Sequence, residues 1–106
     1  MKSLFKIVSV ALLIIVSADV NAEDGKGLAL KYGCFACHAT NEGVIGPSFK
    51  AIAERYKGDT GAKSTLIAKL KNGGTGVWGR KLQPKYKDEI KNEQDYSVLI
   101  NWVLSQ

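Results

Sequence analysis

The residues with the most specific chemistry in this chain are Cys34, Cys37 and His38, which stand in the order Cys-x-x-Cys-His. This spacing is typical of c-type haem attachment, in which two thiols form thioethers with the haem vinyl groups. The same short turn directs the adjacent histidine toward the iron. The motif therefore predicts one haem c, bound covalently through Cys34 and Cys37, with His38 as an iron ligand.

The cysteine pair has three other interpretations. A structural zinc site needs four nitrogen or sulfur ligands, and this chain has only two cysteines and one histidine. A thioredoxin-like dithiol belongs to an alternation of strands and helices, whereas the flanking segments have a helical pattern. A plain disulfide stays open as an alternative, although it gives no role to His38.

The N-terminal residues have the pattern of a secretory signal peptide. Lys2 and Lys6 precede an apolar run over residues 7–16, and a small-residue cleavage pattern ends at Ala22. The run is shorter than the roughly 18 apolar residues that span a bilayer, so we expect no membrane anchor after its removal. We predict a signal peptide over residues 1–22 and one domain over residues 23–106.

The size and charge of the mature chain limit its function. Its 84 residues suffice for one small domain, in which a covalently held haem adds apolar bulk to the core. The full chain has 15 basic and 10 acidic residues, and removing Lys2, Lys6 and Asp19 leaves 13 and 9, a net charge of +4. The lysines are interleaved with acids, so we expect no nucleic-acid-binding face.

Hydrophobic periodicity predicts four helices, over residues 24–33, 49–56, 62–71 and 92–103 including their caps. Asp24 is the expected cap of the first helix, and Asn92 with Asp95 resembles a capping box at the start of the last. Residues 74–91 contain glycines and a proline without periodicity, and are expected to form a long ordered loop. The pattern therefore predicts an all-α fold of about four helices around one haem.

Beyond these patterns, the mature chain resembles the short bacterial class I cytochromes c, which are periplasmic electron carriers. The stretches that carry the resemblance are residues 33–38, 46–50, 70–74, 76–79 and 101–106. The resemblance implies that the first and last helices pack together and that the loop after the third helix closes a haem crevice. It also implies a hydrogen bond from His38 to the Pro47 carbonyl, and an indole N–H of Trp78 directed toward a haem propionate. A simple core position is the alternative for Trp78.

The chain departs from these cytochromes at the second axial ligand. They have a methionine shortly after the Gly-x-Trp-Gly sequence, but the only methionine here is Met1. The register of the resemblance places Gln83 at that position, so we predict that its side-chain oxygen ligates the iron. An amide oxygen is a harder ligand than a thioether, so a lowered reduction potential is expected. The alternatives are a water molecule or the side chain of Lys81, Lys85 or Tyr86.

The resemblance implies a carrier of single electrons between periplasmic redox proteins, not an enzyme, and we expect it to be a monomer. Lys81, Lys85 and Lys87 would then lie near the haem edge and guide an acidic partner. The alternative function is a small-ligand sensor or a peroxidase-like haem enzyme, because a weak sixth ligand leaves the iron accessible.

Overall fold

Four helices and one short hairpin make up residues 22–106, the part of the chain that the computed structural model describes. The signal peptide predicted over residues 1–22 lies outside the described residues, except for its last residue. None of the helices in the described part is long and apolar enough to cross a membrane. In chain order the elements are α1 (Ala22–Lys31), a single 3-10 turn (Cys34–Ala36), α2 (Phe49–Arg55), α3 (Ala62–Asn72), β1 (Gly74–Gly76), β2 (Gly79–Gln83) and α4 (Glu93–Leu104).

Helices α1 and α4 pack against each other, as the resemblance implies. Gly25 of α1 lies so close to α4 that a Cβ built on it would be 2.1 Å from the Cβ of Trp102. Just beyond α1, the Tyr32 hydroxyl donates to the Asp95 carboxylate of α4 at 2.8 Å. The two contacts hold α1 against α4, and the Tyr32 contact lies just before the Cys-x-x-Cys-His motif.

The core lies between α4 and the inner faces of the other three helices. Helix α4 has an apolar stripe at helical spacing, and this stripe supplies half of the buried cluster. The Tyr96 hydroxyl within it donates to the Ile90 carbonyl at 2.8 Å, so the burial leaves no polar group unsatisfied there. The buried cluster consists of Ala29, Phe49, Ile52, Leu70, Ile90, Tyr96, Leu99, Ile100, Trp102 and Val103.

The helices confirm the predicted fold, with two differences at the caps. Helix α1 begins at Ala22, so Asp24 lies in its first turn rather than at its cap. Asn92 does cap α4, since its side chain accepts from the Gln94 N–H at 2.9 Å. The predicted capping box is wrong, because the Asp95 carboxylate accepts from the Tyr32 hydroxyl.

The segment predicted as one long loop, residues 74–91, contains a hairpin. Strands β1 and β2 pair antiparallel, with Gly74 opposite Gln83 and Gly76 opposite Gly79. A glycine-rich strand has no alternating apolar side chains, so the sequence pattern gave no signal for it. The hairpin places Trp78 at its turn and Gln83 at its end.

Candidate haem site

The Cys-x-x-Cys-His motif forms a tight turn after α1. Gly33 enters it with φ 74°, a left-handed conformation that favours glycine. The N–H groups of Cys37 and His38 both donate to the Cys34 carbonyl, at 3.3 and 3.0 Å. Both thiols are free, and burial raises the pKa of the Cys34 thiol to about 11. The turn thus presents two thiols and an imidazole from five consecutive residues.

The His38 ring is held by the loop that follows the motif. Its Nδ1 lies 2.6 Å from the Pro47 carbonyl oxygen, which is the hydrogen bond that the resemblance implies. A carbonyl can only accept, so Nδ1 carries the proton and Nε2 is the atom able to ligate a metal. The ring also stacks on Phe49, with centroids 5.2 Å apart and planes 30° from parallel.

An apolar crevice of about 1120 Å³, including its open mouth, lies beside this turn. The structure brings all six predicted site residues to its wall: Cys34, Cys37, His38, Pro47, Trp78 and Gln83. Most of the remaining wall is apolar and includes Phe49, Ile52, Leu66, Leu70, Leu99 and Val103. Two free thiols and an imidazole on the wall of an apolar crevice fit the flat, apolar body of a haem.

The hairpin supplies the part of the wall that contains Gln83. Gly73 permits the close approach, because a Cβ built on it would lie 2.6 Å from the Gln83 carbonyl oxygen. The Gln83 side chain is half-buried, and its amide nitrogen donates to the Pro84 carbonyl at 3.2 Å. This hydrogen bond occupies the amide nitrogen, so the side-chain oxygen is the atom that is able to ligate a metal.

The other candidate ligands differ in their placement. Lys81 and Tyr86 border the crevice, whereas Lys85 is exposed and is not among the residues of its wall. Burial, and then the nearby Cys34 and Cys37, raise the pKa of the Tyr86 hydroxyl.

Two cations that contact the hairpin and its turn were not predicted from the sequence. Lys69 of α3 borders the crevice and donates to the Thr75 carbonyl at 3.1 Å. The Arg55 guanidinium lies 5.6 Å from the centre of the Trp78 ring, within the range of a cation–π contact. A single basic residue on a helix has the pattern of an exposed charge, so no local signal identifies either one.

Known proteins are similar to this chain in sequence and in fold. The family model for cytochrome c matches residues 22–106. Cytochrome c-551 of Pseudomonas aeruginosa is 38% identical over 85 residues, which cover 80% of this chain and 79% of that protein. Cytochrome c-552 of Nitrosomonas europaea is 35% identical over 95 residues, covering 90% and 86%. The crystal structure of wild-type Nitrosomonas europaea cytochrome c552 has a TM-score of 0.69 at 35% identity, covering 76% of this chain and 96% of that one.

Proposed function

This chain belongs to the cytochrome c family, and from that membership we propose that it is a periplasmic one-electron carrier in which His38 and Gln83 would ligate the iron of the bound haem. Family membership establishes a small electron-carrying cytochrome with one covalently attached haem c. The second ligand, the location and the partners are the inferred parts. The observation that carries the proposal is that Cys34, Cys37, His38 and Gln83 all border one apolar crevice.

Different residues of the crevice would attach the haem, ligate its iron and orient the ligand. Cys34 and Cys37 would attach it through thioethers, and His38 would ligate the iron through Nε2. When bound, the haem supplies the redox chemistry, since its iron takes up and releases one electron. The Pro47 carbonyl keeps the proton on Nδ1 of His38 and orients the ring.

The propionates of a bound haem would need polar partners. Trp78 borders the crevice and has an indole N–H that can donate to a carboxylate. Lys69 borders the same crevice and adds a positive charge that complements a carboxylate. We assign both residues to the propionates.

Gln83 is the sixth ligand that we propose. It borders the crevice as a half-buried side chain, whereas Lys81 is exposed and would need to lose a proton from an amine of reference pKa about 10.4. A harder oxygen ligand favours ferric iron, so the reduction potential lies below that of methionine-ligated cytochromes.

Partner proteins would dock at the rim of the crevice, where the path to the haem is shortest. Ile45 and Leu82 border it as large apolar side chains that a bound haem or a docked partner would cover. Lys81 stands beside them and would attract an acidic partner surface through a salt-sensitive association rate. The signal-peptide pattern over residues 1–22 supports a periplasmic location for this exchange. Fractionation of cells that express the full chain tests this location.

Absorption spectra of the ferric, ferrous and carbon monoxide-treated ferrous protein test the ligand. We expect Gln83→Ala to change the ferric spectrum and to bind carbon monoxide faster than wild type. The matched control is Gln94→Ala, an exposed glutamine of α4, which should leave the spectra unchanged. Gln83→Met should raise the reduction potential.

Each outcome of these spectra has a defined meaning. If Gln83→Ala and wild type have the same spectra, Gln83 is not the ligand. A high-spin ferric wild type that binds carbon monoxide rapidly favours the small-ligand sensor instead. A haem that cannot be cycled reversibly between ferric and ferrous states contradicts electron carriage.

A further inference from the structure

The His38 ring touches the backbone of a residue to which the motif assigns no function. A Cβ built on Gly46 would lie 2.6 Å from Cε1 of His38, 3.0 Å from Nδ1 and 3.2 Å from Nε2. Real Cβ atoms essentially never come that close to another heavy atom. Gly46 is buried, so the imidazole packs directly on the Gly46 backbone.

Gly46 is needed for space rather than for an unusual backbone conformation. Gly46 does not have a positive φ, so an alanine could adopt the same backbone angles. The backbone itself is tied in place, since the Gly46 N–H donates to the Cys37 carbonyl at 2.7 Å. Any side chain at this position must therefore displace the His38 ring or the loop that holds it.

The neighbours of Gly46 complete the support of the ring. Pro47 accepts from Nδ1 at 2.6 Å, and Phe49 stacks on the ring at 5.2 Å. Phe49 is itself held edge-on by Trp102 at 4.9 Å, and its N–H donates to the Ala39 carbonyl at 2.8 Å. Because the ring has little freedom between these contacts, its position sets the length of the bond to Pro47.

We propose that Gly46 is a positioning residue for His38, which rests on the proposed function in that His38 is the iron ligand. The absence of a side chain lets the ring seat deeply enough to make its short bond to Pro47. That bond gives the imidazole more electron density and makes it a stronger donor to the iron. A stronger donor favours ferric iron, so a displaced ring should shift the equilibrium toward ferrous iron and raise the potential.

The test compares Gly46→Ala with Gly43→Ala in the haem-loaded protein. A Cβ at Gly43, in the same loop, would meet only the Gly46 carbonyl oxygen at 3.7 Å, an ordinary contact. Weakening one hydrogen bond should shift the reduction equilibrium of Gly46→Ala about threefold to tenfold toward ferrous iron, and tenfold corresponds to about 59 mV for one electron. The NMR signals of the His38 ring should move in Gly46→Ala and stay in place in Gly43→Ala.

Equal potentials and equal His38 signals in the two variants overturn the proposal. If Gly46→Ala does not load haem, Phe49→Leu and its control Phe35→Leu test whether the position of the His38 ring affects the potential. Both phenylalanine rings pack near Trp102, but only Phe49 stacks on His38. A shift in Phe49→Leu alone supports a positioned ring, and equal shifts contradict it. Covalent haem content and reversible reduction of the wild type are recorded in the same series. They test the proposed function separately from the role of Gly46.

Discussion

Replacing Gly25 by alanine tests the crossing of α1 and α4, on which the position of the haem motif depends. Gly25 is buried, and its added Cβ would lie 2.1 Å from Cβ and 2.6 Å from Cγ of Trp102. The Trp102 Cβ is fixed to the α4 backbone and cannot rotate away. Relief therefore requires the two helices to move apart, which also disturbs the packing of Trp102 on Phe49.

Two contributions of opposite sign decide the stability of Gly25→Ala. Alanine in place of glycine inside a helix contributes about 1 kcal/mol. Overpacking of a close contact costs about 1–3 kcal/mol, and the rigid neighbour places this site at the upper end of that range. We expect the free energy of unfolding to fall by about 2 kcal/mol.

Gly27→Ala is the matched control, because Gly27 lies in the same helix and a Cβ there has nothing within 4 Å. It should raise the free energy of unfolding by up to about 1 kcal/mol, since only the helix preference changes. Urea unfolding of the haem-loaded proteins measures both values, and each kcal/mol corresponds to about 4–8 °C in Tm for a domain of this size. Equal unfolding midpoints for the two variants would refute the close helix crossing.

Three further predictions follow from single contacts. The hydrogen bond to Asp95 raises the pKa of Tyr32 above its ordinary value of 10.0, so Tyr32→Phe should cost about 1 kcal/mol at neutral pH. The folded state holds the Tyr32 proton more tightly than the unfolded chain does. The difference in the free energy of unfolding between Tyr32→Phe and wild type, measured by urea unfolding, should therefore decrease as the pH rises above 10. Ser48→Ala removes the cap that accepts from the Ala51 N–H at 3.0 Å and should lower stability by about 1 kcal/mol, whereas the exposed Ser64→Ala should not, as thermal unfolding will show. In stopped-flow measurements at low ionic strength, Lys81→Gln should slow the reduction of anionic hexacyanoferrate(III) by the ferrous protein roughly twofold. It should not slow the reduction of cationic hexaammineruthenium(III). The control Lys57→Gln, which lies away from the crevice, should change neither rate.

The parts of the fold that depend on local pattern could be predicted from the sequence. The apolar spacing of α2, α3 and α4 follows one face of each helix, and the observed elements confirm it. The hairpin escaped prediction because β1 is a short glycine-rich strand and neither strand has an alternating apolar pattern. The bond between Tyr32 and Asp95 joins residues 63 positions apart, so the short-range capping pattern at Asp95 pointed to the wrong partner.

The candidate site likewise has parts that the sequence predicts and parts that it does not. The Cys-x-x-Cys-His spacing predicts a covalent haem c, which membership in the cytochrome c family confirms. Gln83 as the sixth ligand stays a prediction, because it depends on register in a segment without a local motif. The contacts of Gly46 with His38 and of Gly25 with Trp102 depend on tertiary packing. The sequence shows where the glycines are but does not predict which residues they contact.

The two sides of the candidate haem site are held by different parts of the chain. The proximal side is fixed within residues 33–49 by the Cys34 turn, the Pro47 acceptor and the Phe49 stack. The other side is carried by a hairpin that is fastened near its base, where the Tyr86 N–H donates to the Leu70 carbonyl at 2.8 Å. On the proposed ligation by Gln83, a substitution there would alter the ligand of the iron while the attachment of the haem stays intact. Variants at Gln83 should change the reduction potential far more than the free energy of unfolding, and variants at Gly46 should change both.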